Sequence, residues 1–169
     1  IATLSFHPRK LLTTGEGGMC LTDDPELVGR LRELRNHGQV SPGQFVCASG
    51  NYRLSEIAAA IGSSQLAKLS GMVEARAELA ARYRRALTGL QFQEPLPGAR
   101  PNHQTLGVLL PEGCDRDRLV ERLREGGIET GRLSYALHGL PQLVAAAAEA
   151  RANGRHFPNA TALAERGLA

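Results

Sequence analysis

Helix-start and helix-stop signals recur between short β-prone runs, and this punctuation is the tightest constraint on what the chain can fold into. Thr22-Asp23-Asp24-Pro25-Glu26 combines cap candidates, an early proline and acids where a helix dipole favours them. Leu27, Leu31 and Leu34 then recur at helical spacing until Gly38 stops the helix. Upstream, residues 1–6 alternate as a strand, residues 7–18 form a loop ending in Gly15-Glu16-Gly17-Gly18, and residues 19–21 read as a second short strand. Residues 39–50, polar and containing Gly and Pro, predict a loop. Ser55 and Glu56 open another helix, with Ile57, Ile61, Leu66 and Leu69 as its apolar positions and Gly71 as its expected break or kink. Residues 72–87 then predict a long amphipathic helix with the stripe Val73, Leu79, Tyr83 and Leu87.

The character changes near residue 90, where Pro95, Pro97, Gly98 and Pro101 mark turns. Residues 105–110 predict a strand, residues 115–125 a helix with Leu119, Val120 and Leu123 inward, and residues 128–130 a further strand after Gly126-Gly127. A strand–helix–strand unit of this kind is a small α/β layer. An Ala-rich helix over residues 143–152 and another after Pro158 follow, with no closing element expected behind them. The first residues read as the middle of a strand. The pattern therefore predicts an α/β piece truncated at both ends: the tail of one α/β domain over residues 1–71, a connecting helix over 72–89 and a smaller α/β domain over 90–169.

Composition narrows the function classes. A chain of 169 residues buries enough surface to fold without a disulfide or metal staple. Its 20 basic and 17 acidic residues are interspersed and its aromatic content is 4%, which argues against nucleic acid as a partner. No apolar run reaches the roughly 18 residues of a membrane span, and the opening residues turn polar too soon for a signal peptide. Cys20, Cys47 and Cys114 are odd in number and widely spaced, as free thiols in a reducing compartment would be, with no metal site implied. On that ground the acceptor-like triplet Asn159-Ala160-Thr161 is discounted and a cytoplasmic location is expected. Nearly all the basic residues are arginine. Chemistry that needs a primary side-chain amine has only Lys10 and Lys68 to use.

The chemically informative segment runs Ser5-Phe6-His7-Pro8-Arg9-Lys10, then Thr13-Thr14-Gly15-Glu16-Gly17-Gly18-Met19. It sets a hydroxyl at a strand end, a lysine on a loop and a glycine-rich turn. Hydroxyls and backbone N–H groups can hold a phosphate, and a lysine beside them can condense with a carbonyl cofactor. A free lysine, with a pKa of about 10.4, is a poor nucleophile at neutral pH without help. A pyridine aldehyde solves that problem by serving as electron sink. On residue types alone, such a segment is more often just a surface hairpin.

The motifs together resemble the DegT/StrS-type, pyridoxal-phosphate (PLP)-dependent sugar aminotransferases, a branch of the fold-type-I aminotransferase superfamily. Besides residues 5–19, the resemblance is carried by Thr22-Asp23-Asp24, Leu34-Arg35-Asn36-His37-Gly38, Gly50-Asn51-Tyr52-Arg53-Leu54-Ser55-Glu56, Gly127-Ile128-Glu129-Thr130 and Tyr135-Ala136-Leu137-His138. It implies that residues 1–71 are the C-terminal part of the PLP-binding large domain and residues 90–169 a small domain. It also implies that Lys10 condenses with PLP and shuttles a proton, that Ser5 hydrogen-bonds the PLP phosphate, and that Asn51 reaches the phosphate of the neighbouring subunit in a homodimer. Sugar 3-dehydratases of similar sequence carry His where Lys10 stands, so the lysine favours amino transfer. The implied reaction moves an amino group from a donor, glutamate, to a keto group of a nucleotide-linked sugar, with this piece inactive by itself.

Each residue has a plainer rival reading. Ser5 and His7 can satisfy backbone groups at a strand end, Asn51 can make a local bond at a helix start, and Arg53 can form a surface or interface ion pair. Glu16 suits the turn, Tyr135 and His138 a packed or exposed role as well as the border of a sugar site, and Lys68 a solvated helix face. Two other functions remain open at this level: a truncated non-catalytic relative acting as a dimerisation or regulatory partner, and an unrelated basic binding module.

Overall fold

The computed structural model describes residues 1–169, which divide into two compact units, Ile1–Glu74 and Ala75–Ala169. In the first unit, β1 (Ala2–Ser5) pairs antiparallel with β2 (Gly18–Leu21), from Ala2 opposite Leu21 to Ser5 opposite Gly18. Every residue of both strands is exposed, Leu4, Met19 and Leu21 included. The helix α1 (Pro25–Arg35) starts where its signals place it. Asp24 Oδ1 accepts from the N–H groups of Glu26 (2.9 Å) and Leu27 (3.3 Å), a cap worth about 1 kcal/mol.

Three expectations for this unit are corrected. Residues 39–50 are not simply a loop: β3 (Gln39–Ser41) and β4 (Gln44–Phe45) form a small hairpin around Pro42-Gly43, with Gly43 at φ 81°. The positive φ that glycine tolerates lets the chain reverse there. Gly71 neither breaks nor kinks its helix. The break falls at Ala67-Lys68, between α2 (Glu56–Leu66) and α3 (Leu69–Ala86), and Gly71 lies inside α3. Finally, Ile57 and Leu66 of α2 are exposed rather than inward, at 76% and 60%. The unit's buried residues are instead Phe6, Thr14 and Gly38.

The second unit is built on a three-stranded antiparallel sheet in the order β5 (Gln91–Phe92), β6 (Val108–Leu109), β7 (Gly167–Leu168). Val108, Leu110 and Leu168 form its core, and Leu119, Val120 and Leu123 of α4 (Arg116–Glu125) pack on it as their spacing predicts. Side chains of this kind contribute about 1.5–3 kcal/mol each when fully buried. Two further helices, α5 (Val144–Ala152) and α6 (Pro158–Arg166), complete the unit. The buried Arg116 ties α4 to α6. Its guanidinium donates to the Ala164 carbonyl and to Asp117 Oδ1 (3.0 Å), and Arg132 meets the other Asp117 oxygen at 3.1 Å.

Here too the sequence pattern misleads in places. The strand expected at residues 105–110 is short, and the one expected at 128–130 is absent. Ile128 N–H is used to close α4 on the Leu123 carbonyl (2.8 Å), so pairing starts later, where Gly131 and Ala169 exchange two backbone hydrogen bonds at 2.9 and 3.0 Å. A closing element does follow α6, namely β7. Leu79 and Tyr83 on α3, and Leu87 just past its end, are exposed, and Ala80 is buried in their place. That face lies against the irregular segment near residues 93–107, whose carbonyls need donors. Arg76 supplies them to His103 and Gln104 (3.1 and 3.3 Å), and Arg84 to Gln93.

Two glycines of the first unit should respond oppositely to alanine. Gly38 has φ 73°, and a Cβ there would lie 1.9 Å from the Cys47 carbonyl oxygen, whereas a Cβ at Gly29, inside α1, meets nothing within 4 Å. We expect Gly38→Ala to lower the unfolding free energy by at least about 1–2 kcal/mol and Gly29→Ala to raise it by ~0.5–1 kcal/mol. Urea unfolding of the two variants, read against the parent, checks the sign of each.

Candidate functional site

The loop between β1 and β2 is closed onto one residue. Phe6 N–H donates to the Gly17 carbonyl (2.9 Å), and the Phe6 carbonyl accepts from both Thr14 N–H (3.2 Å) and Thr13 Oγ1 (2.9 Å). Its ring is buried, as is Thr14, whose hydroxyl donates to the Glu16 carbonyl at 2.7 Å. Gly17 permits this closure: its φ is 147°, and a Cβ would come within 2.9 Å of Thr14 Oγ1 and 2.8 Å of Leu54 Cδ1. Residues 7–16 therefore form a tethered loop rather than a free one.

Ser5 and Lys10 lie at the start of that loop and are linked through His7. Ser5 Oγ accepts from His7 N–H at 3.4 Å, and Lys10 N–H donates to the His7 carbonyl at 2.9 Å. His7 Nδ1 accepts from Arg9 N–H (3.1 Å), so a neutral ring carries its proton on Nε2, which faces Glu16 Oε1 at 3.9 Å. At that distance and exposure the pair adds little stability. His7 and Glu16 thus behave as the plainer reading has them, as residues of the turn.

Asn51 is held elsewhere, beside the C-terminal end of α1. Asn36 and Asn51 form an antiparallel bridge, flanked by His37 N–H to the Gly50 carbonyl (2.9 Å) and Tyr52 N–H to the Arg35 carbonyl (3.0 Å). Asn51 Oδ1 accepts from Arg53 N–H at 3.2 Å. Asn51 has no hydrogen bond to Ser5 or Lys10. Arg53, for which an ion pair was one expectation, instead donates to Asn36 Oδ1. His138, the second uncertain histidine, is partly buried: it stacks on Phe157, with ring centroids 5.0 Å apart, and meets Thr161 Oγ1 at 3.1 Å. Tyr135 is exposed.

The donor set suits a phosphorylated aldehyde. Lys10 is an exposed primary amine. The hydroxyl oxygen of Ser5 and the carboxamide oxygen of Asn51 are each occupied as acceptors by a backbone N–H, which leaves the Ser5 O–H and the Asn51 Nδ2 as donors for an anion. Shifted acidities occur away from these residues. A side-chain hydrogen bond to Glu33 raises Arg30, and one to Glu121 raises Arg124, so both guanidiniums stay charged. An open groove of about 470 Å³ lies in the second unit beside Ala80 and Arg84 and contains none of the three candidates. Its guanidinium is committed to Glu94 at 2.6 Å.

Sequence reasoning quoted Thr13, Thr14 and Asn36 within motifs but gave none of them a role. The only signal was position, two hydroxyls immediately before a glycine turn and an asparagine just past a helix end, which is where side chains bond the backbone locally.

Comparison with known proteins points the same way as the donor set. The model of the DegT/DnrJ/EryC1/StrS aminotransferase family matches residues 1–169. Among solved structures, DesV of S. venezuelae is 32% identical with a TM-score of 0.84, over 99% of this chain and 44% of that one. The aminotransferase TlmJ of Streptoalloteichus hindustanus is 31% identical with a TM-score of 0.79, over 98% of this chain and 44% of its own. A DegT DnrJ EryC1 StrS aminotransferase of Brucella abortus is 28% identical with a TM-score of 0.81 over the same shares. The chain thus spans less than half the length of these structures. No helix is long and apolar enough to cross a membrane.

The latch on the lysine loop is testable by itself. Thr14→Val keeps the shape and removes the hydroxyl, and should cost about 1 kcal/mol of unfolding free energy, as should Thr13→Val. Equal urea midpoints for both variants and the parent would show that the hydroxyls do not secure the loop.

Proposed function

Because the chain belongs to the DegT/DnrJ/EryC1/StrS aminotransferase family, whose aminotransferases use PLP, we propose that it carries the lysine half of a sugar aminotransferase site. The observation that supports this is the tethered loop that carries Lys10, one of two lysines in the chain, with the Lys10 backbone and the Ser5 hydroxyl both hydrogen-bonded to His7. When bound, PLP supplies an aldehyde and an electron sink for carbanion chemistry. Every other task falls to the protein.

The Lys10 amine would hold the cofactor through its aldehyde and, when free, would carry a proton between reacting carbons. The Ser5 hydroxyl donates to a phosphate oxygen, a charge-assisted bond stronger than a neutral one. Asn51 Nδ2 donates to the phosphate in the neighbouring subunit of a homodimer. Residues 1–71 act as the C-terminal part of the large domain, residues 72–89 as a connecting helix and residues 90–169 as the small domain. Glutamate is the amino donor, a nucleotide-linked sugar the acceptor, and the cytoplasm the setting. By itself the 169-residue chain, which covers 44% of DesV and of TlmJ, does not turn over.

One observation favours a second reading, a non-catalytic partner. The β1–β2 ribbon exposes Leu4, Met19 and Leu21, a surface suited to covering by another chain. The complete protein separates the two. With PLP added and borohydride as reductant, peptide mapping should find the adduct on Lys10. Lys10→Ala should abolish it and lower transamination at least ~10²–10⁴-fold, the usual contribution of a positioned proton carrier. An adduct on Lys68, or none, would reject the enzymatic reading.

A further inference from the structure

The run Leu34-Arg35-Asn36-His37-Gly38 has so far no part in the function, yet it is the most densely connected turn of the first unit. α1 ends there by folding back on itself: Asn36 and Gly38 N–H both donate to the Glu33 carbonyl, at 3.0 and 2.9 Å. His37, at φ 61°, and Gly38, at φ 73°, are left-handed, which costs a non-glycine residue about 1–2 kcal/mol. A histidine held there implies that neighbouring contacts outweigh that cost. Those contacts run to residues 49–53. Ser49 Oγ donates to the Leu34 carbonyl (2.7 Å), His37 N–H to Gly50, Tyr52 N–H to Arg35, and Asn36 bridges Asn51. The Asn36 side chain binds on two sides, accepting from the Arg53 guanidinium through Oδ1 and donating to Gln39 Oε1 (3.1 Å) through Nδ2.

We propose that Asn36 is a positioning residue for Asn51, an inference that rests on the phosphate-binding reading of Asn51. Asn36 fastens the segment on both sides of Asn51. Its main chain pairs with Asn51 directly, and its side chain anchors Arg53, whose own N–H holds Asn51 Oδ1. With the carboxamide oxygen pinned, Nδ2 is left pointing away from the backbone that pins it, free to donate to an anion. Arg53 is then a strut, and its charge does not itself meet the phosphate.

The test is affinity for PLP and for pyridoxal, which keeps the aldehyde and lacks the phosphate, titrated spectroscopically against the complete protein. Asn51→Ala and Asn36→Leu should each weaken PLP about tenfold, the loss of one bond to a charged group, and leave pyridoxal unchanged. The double variant should bind PLP no more weakly than Asn51→Ala, because both changes remove one function. Asn36→Asp should bind almost normally, since a carboxylate still accepts from Arg53. Arg53→Met, on an exposed residue, breaks the same bond from the other end and should repeat the PLP-only loss even where Asn36→Leu folds poorly. Additive losses in the double variant overturn the inference, as does a normal PLP affinity in Arg53→Met. Equal losses for PLP and pyridoxal mark a merely structural role and overturn it too. An Asn51→Ala variant with normal PLP affinity rejects the reading of Asn51 itself, a separate failure.

Discussion

Both backbone groups of one buried phenylalanine hold the candidate site in shape. Phe6 directly follows β1, and its N–H and carbonyl draw Gly17, Thr14 and Thr13 back to the strand from which the chain has just departed. A loop of this length, tethered only at its ends, would sample many conformers. The three hydrogen bonds and the packed ring remove that freedom in advance. Lys10 remains exposed, while the residues that carry it are held in place.

The same economy recurs at the end of α1. There the anchor is a set of backbone pairings between residues 34–38 and 49–53, tightened by Asn36 and Arg53. Neither arrangement relies on a large apolar core. Phe6, Thr14 and Gly38 are the buried residues of the first unit, and much of its aliphatic surface faces outward. Hydrogen bonds contribute about 1 kcal/mol each in net terms. The second unit differs: Val108, Leu110 and Leu168 form a sheet core that α4 covers.

Several elements were legible before any coordinates. Asp24 and Ser55 cap the helices that follow them, and Leu119, Val120 and Leu123 face the core, since caps and helical periodicity are local properties of the chain. Other readings failed for equally physical reasons. Residues 39–45 form a hairpin because Gly43 takes a positive φ, which composition alone does not reveal. Gly71 stays helical because nothing there calls for its freedom. On α3 the larger apolar residues lost to Ala80, since a helix that serves polar carbonyls of an irregular segment needs a small residue and arginines on that face. Residues 128–130 gave up their strand to the closing of α4.

The sequence by itself determined the α/β class, the shortage of amines that leaves only Lys10 and Lys68, and the ordered motifs that mark the family, because residue identity and spacing suffice for each. Tertiary structure alone decided that Phe6 ties the lysine loop, that Asn36 joins the segment bearing Asn51, and that Gly167–Leu168 closes the second sheet. These pairings join residues up to dozens of positions apart. Their partners are chosen by which backbone groups remain unsatisfied once the chain has folded, and no local pattern records that.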